Sequence, residues 1–162
     1  MNRTTRVIAG IAIGLVIAAG VYAKEKKIKQ SDLPPAVQQT AEQQSAGEGI
    51  TVTGYTVDKA EGGTLYAMNL VSDGLARKTV IGSDGTLVSV QQEMAWDNVP
   101  PAVQTDFTNV TGKGKLGPVS SITKDGQIVT YEATLVTYGN AAHVQVKPHA
   151  PALEPIPTAD SK

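Results

Sequence analysis

The sequence predicts an α+β fold of two tandem units, each a helix packed on one face of an antiparallel sheet. Three observations predict it. The heptapeptide DLPPAVQ at 32–38 returns as NVPPAVQ at 98–104. Each copy opens a helix-forming stretch that stops at glycine and is followed by β-rich runs separated by tight turns. Within those runs Tyr66, Met68 and Leu70 alternate with polar or small residues, and Tyr131, Ala133 and Leu135 repeat the pattern. Period-two alternation buries one sheet face and leaves the other wet.

Ahead of the first unit, Arg3 and Arg6 form a basic start, Val7 to Val21 is an apolar run, and Val21-Tyr22-Ala23 fits a small-x-small cleavage site. Residues 1–23 therefore read as a signal peptide cut between Ala23 and Lys24, which places the folded part outside the cytoplasm, periplasmic or secreted. The alternative is an uncleaved anchor in the cytoplasmic membrane, with the folded part facing outward. The apolar run is short against the ~20 residues of a spanning helix. Lys24, Lys26, Lys27 and Lys29 follow it and read as a solvated terminus.

The first unit covers 24–94. Pro35 suits a first helical turn, where its missing N–H is not needed, and AVQQTAEQQSA after it forms helix until Gly47. Strands follow at 50–58, 64–71, 75–82 and 86–93. Asp73-Gly74 and Asp84-Gly85 read as hairpin turns whose central residues take positive φ. The second unit covers 95–147. Here Val103, Phe107 and Val110 make an apolar helical stripe, and strands are expected at 119–124, 127–137 and 141–147. Leu33 and Val99 precede the two proline pairs where an apolar residue staples a helix entry. Residues 148–162 hold Pro148, Pro151, Pro155 and Pro157 and read as an extended, mobile tail.

Composition narrows the chemistry. The chain has no cysteine, which removes disulfides, thiolate nucleophiles and Cys-ligated metal. Its formal charge is −1, with no excess of cations to hold nucleic acid. Gly112-Lys113-Gly114-Lys115-Leu116-Gly117 matches G-x-G-x-x-G, but a helix precedes it and Pro118 leads into a strand. That is the reverse of the strand-to-helix order a dinucleotide site needs. His143 on a strand and His149 in the tail bring no third metal ligand at structured spacing. Glu61, Glu93, Asp97 and Glu132 are scattered rather than paired for acid–base work. No cofactor or catalytic residue is expected, and a small hydrolase is the weakest alternative. Trp96, just before the second helix, is expected either to fill the seam between units or to anchor a partner.

The LPPAV and VPPAV openings, Tyr-x-x-x-Leu at Tyr66–Leu70 and Tyr131–Leu135, and the strand–Asp-Gly–strand at 78–90 resemble the PepSY-like family and its β-lactamase-inhibitor-protein-like fold. The resemblance covers about residues 28–147. It implies an exported, non-catalytic bacterial binding module, one that restrains a peptidase or binds another protein or peptide of the envelope. The residues themselves suggest the surface. An antiparallel sheet covered on one side by helices leaves its other face open, and strand parity puts Lys78, Glu132 and His143 there. The rival reading is a membrane-anchored structural protein of the envelope.

Overall fold

The structure, a computed structural model, describes residues 25–60 and 63–149. The Ala23–Lys24 cleavage site, Glu61 and the tail beyond His149 lie outside the described residues. The elements run β1 (Lys26–Ile28), α1 (Pro35–Ser45), β2 (Ile50–Ala60), β3 (Gly63–Ser72), β4 (Leu75–Gly82), β5 (Leu87–Met94), α2 (Pro101–Thr111), β6 (Lys115–Lys124), β7 (Gln127–Thr137) and β8 (Asn140–Val146). Short 3-10 turns at Gln30–Asp32 and Trp96–Asn98 precede the two helices.

All eight strands belong to one antiparallel sheet in sequence order, β1 to β8. This overturns the expected two-unit fold class. β5 and β6, on either side of the expected boundary at 94/95, pair from Val90↔Thr123 to Met94↔Val119, so one sheet runs through. Alternation within a strand shows which face is buried, but not which strand lies alongside. The chain leaves β5, forms α2 above the sheet and returns beside the strand it left. The basic start also departs from expectation: Lys26–Ile28 pairs with Val57–Tyr55 and forms the edge of the sheet.

Both helices lie on the same side. α1 covers Leu33, Val37, Ala41, Met68, Leu70 and Ile81, while α2 covers a larger cluster of Val99, Val103, Phe107, Val119, Tyr131, Ala133, Val144 and Val146. Each such aliphatic or aromatic side chain contributes roughly 1.5–3 kcal/mol by leaving water. Between the helices the floor turns polar. Across the register Leu70, Arg77, Gln92, Ser121 and Tyr131 are neighbours, apolar at the ends and hydrophilic in the middle. There Arg77 Nη2 donates to Gln44 Oε1 at the flank of α1, 2.8 Å away.

The recurring heptapeptide has a physical explanation. In α1, Gln38 Nε2 donates to the carbonyls of Gln30 and Leu33. In α2, Gln104 Nε2 donates to those of Trp96 and Val99. Each glutamine thus ties its helix to the 3-10 turn before it: it satisfies the Leu33 or Val99 carbonyl and adds a second donor to Gln30 O or Trp96 O, which already accepts a backbone N–H. The apolar residue of each motif, Leu33 or Val99, is buried beneath.

Three turns take positive φ at both central residues: Asp73-Gly74, Asp125-Gly126 and Tyr138-Gly139. Asp84-Gly85 does not, because only Gly85 is positive, at +86°. Its loop closes instead through Gly85 N–H to Gly82 O and Gly82 N–H to Thr86 O, a turn followed by a single left-handed glycine. A Cβ on Gly85 would lie 2.8 Å from the Ala36 carbonyl oxygen, so α1 rests directly on this turn. Thr40 Oγ1 adds a bond to Gly85 O, 2.7 Å away.

Candidate functional site

Residues paired across antiparallel strands point to the same side. With Ile81, Tyr131 and Val144 under the helices, the alternate positions Lys78, Glu132 and His143 fall on the opposite, open face. Between the first two stands a residue that sequence reasoning missed. Gln91 pairs with Lys78 in register, and its Nε2 donates to Glu132 Oε1 at 2.6 Å, reaching across β6. Gln145 Nε2 donates weakly to the other carboxylate oxygen, 3.4 Å away. On the far side Lys78 Nζ forms an ion pair with Glu25 Oε1, and Glu25 Oε2 accepts from Thr56. Half-buried Val80 and Ile122 fill the spaces between.

The result is two polar sets side by side, Glu25 with Thr56 and Lys78, and Glu132 with Gln91 and Gln145. Lys78 is neutralised by its partner, whereas Glu132 accepts from two neutral amides and carries its negative charge half-buried. His143 is exposed on the same face, opposite Thr134. Gln91 and Gln145 share the strand parity of Lys78 and Glu132, a signal that was available in the sequence. Glu25 was not legible, because it depends on β1 joining the edge.

Trp96 stands elsewhere. The 3-10 turn after β5 and the Gln104 bond fix its backbone, and the residue is 41% exposed. It does not fill a seam between α1 and α2. It stands at the rim of a cleft of about 500 Å³ whose floor is Met94, Leu116 and Val119, walled by Thr108, Thr111 and the Gly112 and Gly117-Pro118 segments. Both threonine hydroxyls donate back to their own helix, to Gln104 O and Phe107 O. No lining residue is an ordinary acid or base, and with both hydroxyls turned to their own helix the cleft suits an apolar group.

The G-x-G-x-x-G segment wraps this cleft as the exit of α2 and the start of β6, which begins at Lys115, earlier than expected. Gly114 lets the chain pass close to β7: a Cβ there would meet Leu135 Cδ1 and Thr137 Oγ1 at 2.6 Å, so those side chains would have to move. The phosphate reading has no support in this geometry. His149 Nε2 donates to Asp106 Oδ2, 2.7 Å away, holding the chain after β8 against α2. Among the described residues no three His, Cys, Asp or Glu side chains gather as a metal site. No helix among them is long and apolar enough to cross a membrane.

No family model matches the chain, and no curated protein matches it. Among solved structures, a Bacteroides eggerthii protein provisionally described as periplasmic is similar, with a TM-score of 0.48 and 18% identity over 71% of this chain and 88% of that chain. A likeness at that level gives this chain neither a name nor an activity. The site must be read from its own residues.

Proposed function

We propose that this is an exported, PepSY-like binding module without catalysis, whose open sheet face takes a protein or peptide partner of the envelope. The observation that carries the reading is two prearranged side-chain sets, Glu25 with Lys78 and Glu132 with Gln91 and Gln145, on a face that no described helix covers. Side chains already held by one another lose little freedom when a partner docks, which lowers the cost of association. The half-buried Val80 and Ile122 supply apolar contact between the polar rows. Two features support a non-catalytic role: Lys78 is ion-paired with Glu25 while Glu132 accepts from side-chain amides, and the cleft beside Trp96 contains only non-titratable residues. Export rests on the basic start, the apolar run and the Ala23–Lys24 site. Restraint of a peptidase rests on the LPPAV/VPPAV resemblance alone.

Cross-linking in the native envelope tests the surface. The unaltered protein is expected to capture a defined partner, and a variant combining Lys78→Glu with Glu132→Lys is expected to lose it. An unchanged set of captured proteins would rule this face out. Mass spectrometry of the protein from its native host tests export, with an N-terminus at Lys24 expected and one at Met1 contradicting cleavage. If the partner is a peptidase, adding the purified protein should slow hydrolysis of its substrate, and an unaffected rate would remove the inhibitory reading.

A further inference from the structure

Arg77 is the only arginine beyond residue 6; the other fixed cations there are lysines. It stands half-buried on the helix side of β4, in register with Leu70 and Gln92, on the floor between α1 and α2. Parity along β4, β5 and β6 makes it the one charged residue on that floor. A guanidinium drawn out of water is ordinarily paired with a carboxylate, because desolvation costs a charge far more than a neutral group. Among the described residues Arg77 forms no ion pair. Glu93, next to Gln92 in β5, lies on the open face and accepts from the Ala76 N–H, 3.2 Å away.

Three donors on this floor have no acceptor among the described residues. Arg77 Nε is buried and makes no hydrogen bond, and neither does Thr79 Oγ1, two residues on and on the same side. Ser121, buried on β6, bonds to no described residue through its hydroxyl. The acceptor that the guanidinium does have is neutral: Gln44 Oε1, 2.8 Å from Nη2. An amide brings one oxygen to that edge of the fork. A carboxylate brings two, and matches Nε and Nη2 with parallel bonds.

We propose that Arg77 receives a carboxylate group in the groove between the two helices, and that Gln44 holds the place when none is bound. On binding, Gln44 turns aside and the two carboxylate oxygens accept, one from Nε and one from Nη2. A lysine could not replace arginine here, since a point charge has no fork to match a planar group. One guanidinium with no second cation on the floor suits a single negative charge, and so a carboxylate rather than a doubly charged phosphate. The site lies on the helix side of the sheet, apart from the open face of Lys78 and Glu132. A small organic acid and an acidic side chain of a peptide both present the required group.

The Nε–H signal of Arg77 in a nitrogen-15 spectrum reads the site directly. Arg3 and Arg6 carry the same group, so the signal is identified by its loss in Arg77→Gln. Sodium acetate is expected to move it, and sodium chloride at equal ionic strength is not. A blocked tripeptide with a central glutamate is the second probe, with its glutamine counterpart as control. A response to acetate supports the proposal for a small acid, and a response to the glutamate peptide alone supports it for a peptide side chain. Gln44→Glu supplies the carboxylate from within the protein. It is expected to raise the urea midpoint by about 0.5 M and to abolish the acetate response. Gln43→Glu, exposed on the same last turn of α1, should instead lower the midpoint slightly, because a negative charge there opposes the helix dipole. A signal that neither carboxylate moves, or that chloride moves equally, would overturn the proposal. So would a midpoint in Gln44→Glu no higher than in Gln43→Glu.

Discussion

Thr79 offers the sharpest energetic test of the packing beneath α1. It is fully buried in β4, between Met68 in the adjacent strand and Val90 on the other side, and its Oγ1 has no hydrogen-bond partner among the described residues. A buried hydroxyl without a partner carries a desolvation cost of about 1–3 kcal/mol. Thr79→Val keeps the branched shape that suits a strand and replaces that hydroxyl with a methyl, which itself gains roughly 0.8 kcal/mol on burial. The expected gain is about 2 kcal/mol. With a urea slope of about 2 kcal/mol/M, the unfolding midpoint should rise by about 1 M at unchanged slope. Thr79→Ser keeps the hydroxyl and loses the methyl, so it should fall below the unaltered protein by about 1 kcal/mol. If Thr79→Val melts at or below the unaltered protein while Thr79→Ser falls as expected, the hydroxyl has a partner and the reasoning is refuted.

Three further outcomes follow from contacts already described. Gln104→Ala should lose about 1–2 kcal/mol in urea unfolding, since the Val99 carbonyl loses its donor and Trp96 O keeps only the Val99 N–H; an unchanged midpoint would show that water replaces the amide. Gly85→Ala places a Cβ against the Ala36 carbonyl at a φ of +86°, and should destabilise by about 1–3 kcal/mol on the same assay, where a neutral result would mean α1 can lift. Asp84 accepts from the Thr86 N–H and hydroxyl, which lowers its pKa from 3.8. With the folded value below the unfolded one, its stabilising contribution is complete above 3.8 and is lost as pH falls through the lower, folded-state value. Asp84→Asn should remove that share of the acid sensitivity, and an identical pH profile for the two proteins would discount the Thr86 contacts.

Much of the local structure was legible because it depends on neighbours in sequence. The strand at 75–82 and the strand at 127–137 were placed to the residue, since Asp-Gly turns and alternation bound them on both sides. Pro35 and Pro101 started their helices where a proline is tolerated. Information about neighbouring strands was missing. Nothing in β5 or β6 specifies that they adjoin, so one sheet was read as two. β1 is too short to show a period, and only its pairing with β2 makes it a strand. The open-face residues Lys78, Glu132 and His143 follow from parity. Their ties through Gln91 and Glu25 are long-range and required the folded register. Trp96 was ambiguous because an aromatic before a helix suits a core as well as a rim.

The glutamine tethers bear on the order of folding. Each closes a segment of only eight residues, from Gln30 to Gln38 and from Trp96 to Gln104, so little chain entropy is lost in forming it. Strand partners such as Val90 and Thr123 must instead meet across an intervening helix. The two helix entries are thus inexpensive early structure, able to present Val37 and Val103 before any sheet exists. Mutations at Gln38 and Gln104 would then slow refolding more than they hasten unfolding, while substitutions in β6 would do the opposite.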